Sequence, residues 1–155
     1  MRKTMEKNPF KIRLMKSDDF DIVVKLDNKV VNKSRAEYYR LKFEELVQSS
    51  DCVPASLVAE QDDGQLVGFV MGGILVGEYG ISHEATLETI VVDPNQRNKG
   101  IGQRLIDEFV DHMRSLGVQK ISTLVDSTDT EMMHFFTSNR FTPSKTVNLE
   151  RVPRN

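Results

Sequence analysis

The stretch Thr86–Met113, TLETIVVDPNQRNKGIGQRLIDEFVDHM, constrains this chain more than any other. It opens as an apolar, β-branched run, Thr86–Val92, of the length and kind expected for a buried strand. Asp93-Pro94-Asn95 ends that strand, because proline has no N–H to continue a ladder. A basic loop follows, Arg97-Asn98-Lys99-Gly100-Ile101-Gly102. Ile101, Leu105, Ile106, Phe109, Val110, Met113 and Leu116 then recur at helical spacing up to Gly117, a natural stop. A strand, a glycine-bearing loop and a helix N-terminus make an anion site, since the first helical N–H groups lack intrahelical partners and lie at the positive end of the helix dipole. Glycine lets a ligand approach the backbone, and Arg97 and Lys99 add formal charge, so a diphosphate is the expected guest. On its own, a two-glycine loop is equally an ordinary βα turn.

The full string resembles the acetyl-CoA-binding signature of the GNAT superfamily of N-acyltransferases. That signature is an apolar strand ending in Val, then Asp-Pro or similar, then Arg/Gln-x-x-Gly-x-Gly/Ala opening a helix. Here it reads Val92-Asp93-Pro94 and Arg97-Asn98-Lys99-Gly100-Ile101-Gly102. Phe136-x-x-x-x-Phe141 is similar to the family's second motif, Tyr-x-x-x-Gly-Phe.

The chain before and after this stretch fits the same order. Phe10–Met15 reads as an edge strand, and Ser17-Asp18-Asp19 as the N-cap of a helix running to Val31. Ser34-x-x-Glu37 reads as a capping box opening a second helix to about Ser49. Ser56–Gln61 and Gln65–Val76 flank a hairpin turn at Asp62-Asp63-Gly64, and Gly77–Ser82 follows as a loop. Lys120–Val125 is a further strand, Thr128-x-x-Glu131 opens a short helix, and Thr146–Val152 is expected as a final strand. The resemblance implies an α/β (α+β) GNAT fold in the order β-α-α-β-β-β-α-β-α-β-β. That fold is a mixed, mostly antiparallel seven-stranded sheet flanked by about four helices. Residues 9–153 are expected to form one domain, with residues 1–8 as a flexible tail.

Composition narrows the class. A formal net charge of -2 over 155 residues shows no bias towards nucleic acid or anionic membrane. Cys52 stands alone, so no internal disulfide forms, and with no apolar leader or membrane-length run the expected compartment is the cytoplasm. His83, His112 and His134 lack metal-site spacing, and no metal is expected.

The resemblance implies that the fourth and fifth strands splay apart to receive the pantetheine arm of acetyl-CoA, the co-substrate. Backbone groups at Ile90, Val91 and Val92 would pair with its amides, and the diphosphate would sit on Arg97–Gly102. Glu88, four residues before Val92, is read as sharing a face with Ile90 and Val92. A carboxylate inside an apolar strand needs a role or a partner. Glu88 is the candidate base or amine-orienting group, against a carboxylate at a solvated strand edge; Glu84 is the weaker alternative. Phe136 stands where many relatives carry a Tyr that protonates the leaving thiolate, and it has no proton to give. It is still expected to touch the cofactor. Asp129 either contacts CoA or the acceptor, or serves its helix terminus. The implied activity is N-acetylation of a primary amine, small molecule or peptide, by direct attack in a ternary complex. The competing reading is a catalytically weak acyl-CoA-binding sensor on the same fold. A homodimer through strand edges is compatible with either.

Overall fold

The computed structural model describes residues 10–74 and 84–154. The loop expected at Gly77–Ser82, the end of the strand before it, His83 and the tail at residues 1–8 lie outside the described residues. The chain divides into two compact units, Met1–Leu124 and Val125–Asn155.

The first unit holds one sheet in the order β1-β2-β3-β4-β5, formed by Phe10–Leu14, Leu57–Gln61, Leu66–Ile74, Glu84–Val92 and Lys120–Ser122. The first four strands pair antiparallel, and β5 joins β4 in parallel. Gly64 takes φ +87° in the β2–β3 hairpin, a conformation that favours glycine and sets the strand register. Three helices cover the sheet: α1 (Phe20–Val31), α2 (Ala36–Phe43), which widens into a π-helical turn over Glu44–Gln48, and α3 (Ile101–Ser115). On one face Val23, Leu26, Tyr39 and Phe43 pack with Val58, Phe69, Met71 and Val91. On the other, Ile101, Leu105, Ile106, Phe109 and Met113 of α3 are fully or nearly buried. Removing each such side chain from water contributes roughly 1.5–3 kcal/mol, which gives a short five-stranded sheet a core on both faces.

Polar groups also join the elements. Asp27 of α1 is buried, accepts from the Tyr39 hydroxyl at 2.8 Å, and is gripped through both oxygens by Arg35. Burial and the Asp27 carboxylate push the Tyr39 phenol far above its ordinary range. Asp19 caps the turn before α1 by accepting the Lys16 N–H at 2.8 Å, and it pairs with Arg13 of β1. Neither expected serine cap is used: Ser17 lies inside a 3-10 turn, and α2 starts after Arg35 without a side-chain cap.

In the second unit α4 spans Thr130–Ser138, with Asp129 rather than Thr128 as its N-cap. Thr146–Val152 forms no strand, and among the described residues the sheet has five strands against the seven expected. Val147, Leu149 and Val152 are 78%, 89% and 86% exposed. Their spacing suits a strand, but a strand needs a neighbour to accept its hydrogen bonds and cover its apolar side. The mixed, mostly antiparallel α/β class stands.

Candidate active site

The site is built on β4. One edge of β4 pairs with β3 along its length, whereas the other meets β5 only at Glu84, Ala85 and Thr86. The Thr123 hydroxyl donates to the Leu87 carbonyl at 2.9 Å, and past that stitch β4 has no strand neighbour on this side among the described residues. Glu88–Val92 therefore presents an open edge of backbone donors and acceptors, ready to be paired by a ligand.

The β3–β4 register breaks where this edge begins. Thr89 stands opposite Met71 and Leu87 opposite Gly72, which leaves Glu88 as the extra residue of a β-bulge. The bulge changes the phase of the strand. Glu88 turns towards α2, where its carboxylate lies 2.7 Å from the Lys42 ammonium. The Thr89 hydroxyl lies 3.5 Å from that of Tyr38, also on α2, and Val91 enters the core on that face. Val92 stands opposite Gly68, whose missing side chain would point at Ile101 and Leu105 of α3. Ile90, by alternation, shares the α3 face with Val92. The expectation that Glu88 shares a face with Ile90 and Val92 is thus corrected: strict alternation fails across a bulge.

Lys42 and Glu88 have 23% and 24% of their side-chain surface exposed, so the pair is neither dry nor freely solvated. The hydrogen bond to Glu88 raises the Lys42 ammonium above the usual lysine range, although partial burial opposes it. Lys42 has a second carboxylate, Glu45, at 3.6 Å, and its charge lies 5.8 Å from the Tyr38 ring centroid. Glu84, the weaker carboxylate candidate, pairs with Lys120 at 2.7 Å across the β4–β5 step.

Beyond Val92 the chain turns into the loop. Asp93 is 2% exposed and holds the turn: its N–H donates to Val67 O at 2.8 Å, and its carboxylate accepts from Asn95 N at 3.0 Å and Lys29 at 3.1 Å. Burial pushes the Asp93 carboxyl up, but the Asn95 N–H and the Lys29 ammonium outweigh it and keep it below the ordinary range. Asn98 and Gly100 both adopt left-handed backbone, with φ 66° and 75°. Gly100 is the N-cap of α3, and no side chain caps that helix. A Cβ at Gly100 would meet nothing within 4 Å, so open space lies beside the uncapped end. Ile101 is buried and anchors the first turn, while Arg97, Lys99 and Gly102 line the loop, with Lys99 resting on Gln96 at 2.8 Å. Uncapped N–H groups, open space and basic residues suit an anionic ligand.

The remaining predicted residues belong to the second unit. The Asp129 carboxylate accepts the Met132 N–H at 3.1 Å, its helix-terminus role. Phe136 is buried, and its ring meets those of Phe135 and Phe141 edge-on at 5.3 and 5.2 Å. Arg140 occupies the position of the motif's glycine and takes φ 70°, the backbone a glycine would favour there.

Sequence reasoning missed Lys42, Tyr38 and Thr89. Tyr38 and Lys42 stand four apart on α2 and so share a face. Which strand that face meets is a tertiary fact. Among the described residues no group of three or more His, Cys, Asp or Glu could hold a metal ion, and no helix is long and apolar enough to cross a membrane.

Comparison with known proteins bears on this geometry. Residues 13–140 match the Acetyltransferase (GNAT) family. A mycothiol acetyltransferase from Propionibacterium freudenreichii subsp. shermanii is 32% identical over 84 residues, 54% of this chain and 26% of that protein. The chain thus spans about a quarter of that relative's length. The aminoglycoside N-acetyltransferase AAC(6')-Iy in complex with CoA superposes with a TM-score of 0.76 at 19% identity, covering 96% of this chain and 98% of that one. The ribosomal-protein-S18-alanine N-acetyltransferase from Escherichia coli gives 0.68 at 17%, covering 83% and 75%. These two likenesses speak to the fold, and the match over residues 13–140 speaks to descent: the chain belongs to the GNAT acetyltransferase family.

Proposed function

We propose that this chain moves an acetyl group from acetyl-CoA to a primary amine, of a small molecule or a peptide, by direct attack in a ternary complex. The observation that carries this reading is the bulged, half-unpaired strand β4 leading straight into the uncapped N-terminus of α3. The pantetheine arm would lie along the open edge at Ile90, Val91 and Val92. Its diphosphate would take the α3 N–H groups, with Arg97 and Lys99 supplying charge and Asn98, Gly100, Ile101 and Gly102 the backbone contour.

Acetyl-CoA supplies an activated carbonyl. The acceptor nitrogen forms a bond to that carbon as the C–S bond breaks, and the thiolate leaves. An alkylamine, with pKa ~10, arrives protonated and must lose a proton first. Glu88 is the acceptor for that proton, directly or through water. CoA thiolate, near thiol pKa ~8.5, leaves without a strong acid, so Phe136 need not supply a proton. The rest of the acceleration would come from holding amine and thioester together.

Thiol release with a panel of polyamines, amino acids, aminoglycosides and peptides tests the reading. Turnover on at least one amine, lost in Glu88→Gln, supports it. Tight acetyl-CoA binding without turnover on any amine would favour a sensor instead. Unchanged CoA affinity in both Gly100→Glu and Arg97→Ala would remove the loop as the cofactor's seat.

A further inference from the structure

Glu88 does not wait empty. Its carboxylate holds the ammonium of Lys42, 2.7 Å away, where an incoming acceptor amine would have to sit to give up its proton. That ammonium lies near the Tyr38 ring and has Glu45 as an alternative partner at 3.6 Å, one turn further along the same helical segment. Glu45 is 62% exposed, so a Lys42–Glu45 pair would be wetter and weaker than Lys42–Glu88.

We infer that Lys42 is an internal stand-in for the acceptor, and that the site selects a primary alkylammonium on an unbranched methylene stem, as in a polyamine or a lysine side chain. The inference rests on Glu88 being the acceptor-facing carboxylate of the proposed function. An ammonium at the end of a four-carbon stem already satisfies Glu88 and the aromatic face of Tyr38, so a substrate of the same chemistry meets a site formed in advance. It must also compete. A neutral or weakly basic amine cannot displace a full positive charge from a carboxylate, whereas an alkylammonium exchanges one cation for another while Lys42 swings to Glu45. Lys42 is therefore a specificity-determining residue that raises the threshold for binding, and Glu45 is the positioning residue that makes its departure easy.

The test measures binding of spermidine, Nα-acetyl-lysine amide and, as a short branched control, alanine amide to the CoA-saturated full chain by calorimetry. Lys42→Met removes the competitor and should tighten the first two by roughly two- to fivefold, the worth of a solvent-accessible ion pair, with CoA affinity unchanged. Alanine amide should change less. Lys42→Arg, a cation that grips a carboxylate with two N–H groups, should weaken them. Glu45→Gln should weaken spermidine in the Lys42 background and do nothing in Lys42→Met. Spermidine affinity that is unchanged or lower in Lys42→Met, or equal tightening of all three probes, overturns the inference. So does a Glu45→Gln effect that survives in the double variant. The two readings fail separately: turnover kept in Glu88→Gln removes the proton acceptor but not the competition, while Lys42-independent binding with turnover lost in Glu88→Gln removes only the competition.

Discussion

The ring of Phe109 fills the space that a side chain on Gly72 would need: a Cβ built there comes within 2.7 Å of Phe109 and also meets the Thr86 carbonyl oxygen. Gly72 stands opposite Leu87, at the step where the β3–β4 register breaks. The close approach of α3 to β3 and the bulge that turns Glu88 towards α2 thus share one residue without a side chain. Gly72→Ala should destabilise the fold by about 1–3 kcal/mol, the range for overpacking a filled core. Gly73→Ala meets only the tip of the Leu46 side chain, which can move, and should cost clearly less. Urea midpoints of the two variants provide the comparison, and equal losses would deny Gly72 its special place.

Much of this could be read in the sequence, and the failures share a cause. Strand β4, the Asp93-Pro94 break and helix α3 follow from local rules, because apolar periodicity and proline act within a few residues. The bulge does not. It depends on Gly72, sixteen residues before Glu88 and in another strand, and so strict alternation assigned Glu88 to the wrong face. The same limit hid the Lys42–Glu88 pair, whose members are forty-six residues apart. The C-terminal stretch erred the other way: Val147 and Leu149 have strand-like spacing, yet they lie exposed without a strand partner.

The buried Asp27 offers a graded test of the polar link between α1 and α2. Tyr39→Phe removes one donor and leaves the carboxylate held by Arg35, so the loss should be about 1–2 kcal/mol. Arg35→Met strips the countercharge from a carboxylate that is 1% exposed, and should cost about 3–5 kcal/mol. Denaturant unfolding that ranks the two in the reverse order would mean that the Tyr39 hydroxyl, and not Arg35, is the main support of Asp27.

Acid stability should report on Asp93 and Asp19. Burial raises each carboxyl, but Asn95 N–H with Lys29 lowers the first, and Arg13 with the Lys16 N–H lowers the second, so both end below their ordinary range. A depressed folded pKa adds stability that is fully present above the unfolded value, near 3.9, and is lost as pH falls through the folded value. The fold should therefore weaken below about pH 4, and Asp93→Asn should flatten that decline while lowering stability at neutral pH. Unfolding midpoints measured at several pH values from neutral downwards would show it, and an unchanged slope in Asp93→Asn would refute the assignment.

Arg140 holds left-handed backbone just past Asn139, the C-cap of α4, with φ 70°, where a side chain is strained. Arg140→Gly relieves that strain at the expense of a more flexible unfolded chain, so the net gain should be at most about 1 kcal/mol. Thermal melts of the full chain would register a small rise in midpoint. A fall would indicate that the Arg140 side chain makes contacts worth more than its backbone strain.

The decisive chemical prediction concerns Glu88. Glu88→Gln keeps the size and hydrogen-bonding shape of the side chain and the bulge, but it cannot take a proton and no longer pairs ionically with Lys42. If Glu88 is the proton acceptor, turnover at saturating amine should fall by about 10²–10⁴, the usual contribution of a general base. Raising the pH should restore part of the lost rate, because a larger fraction of the amine then arrives already neutral, with its pKa ~10 setting the scale. If Glu88 only orients the amine, the same substitution should raise KM and leave turnover nearly unchanged, with no recovery at high pH. Rate profiles of the wild type and Glu88→Gln with one acceptor between pH 6 and pH 10 separate these outcomes. CoA affinity measured alongside shows whether the open edge of β4 has kept its shape.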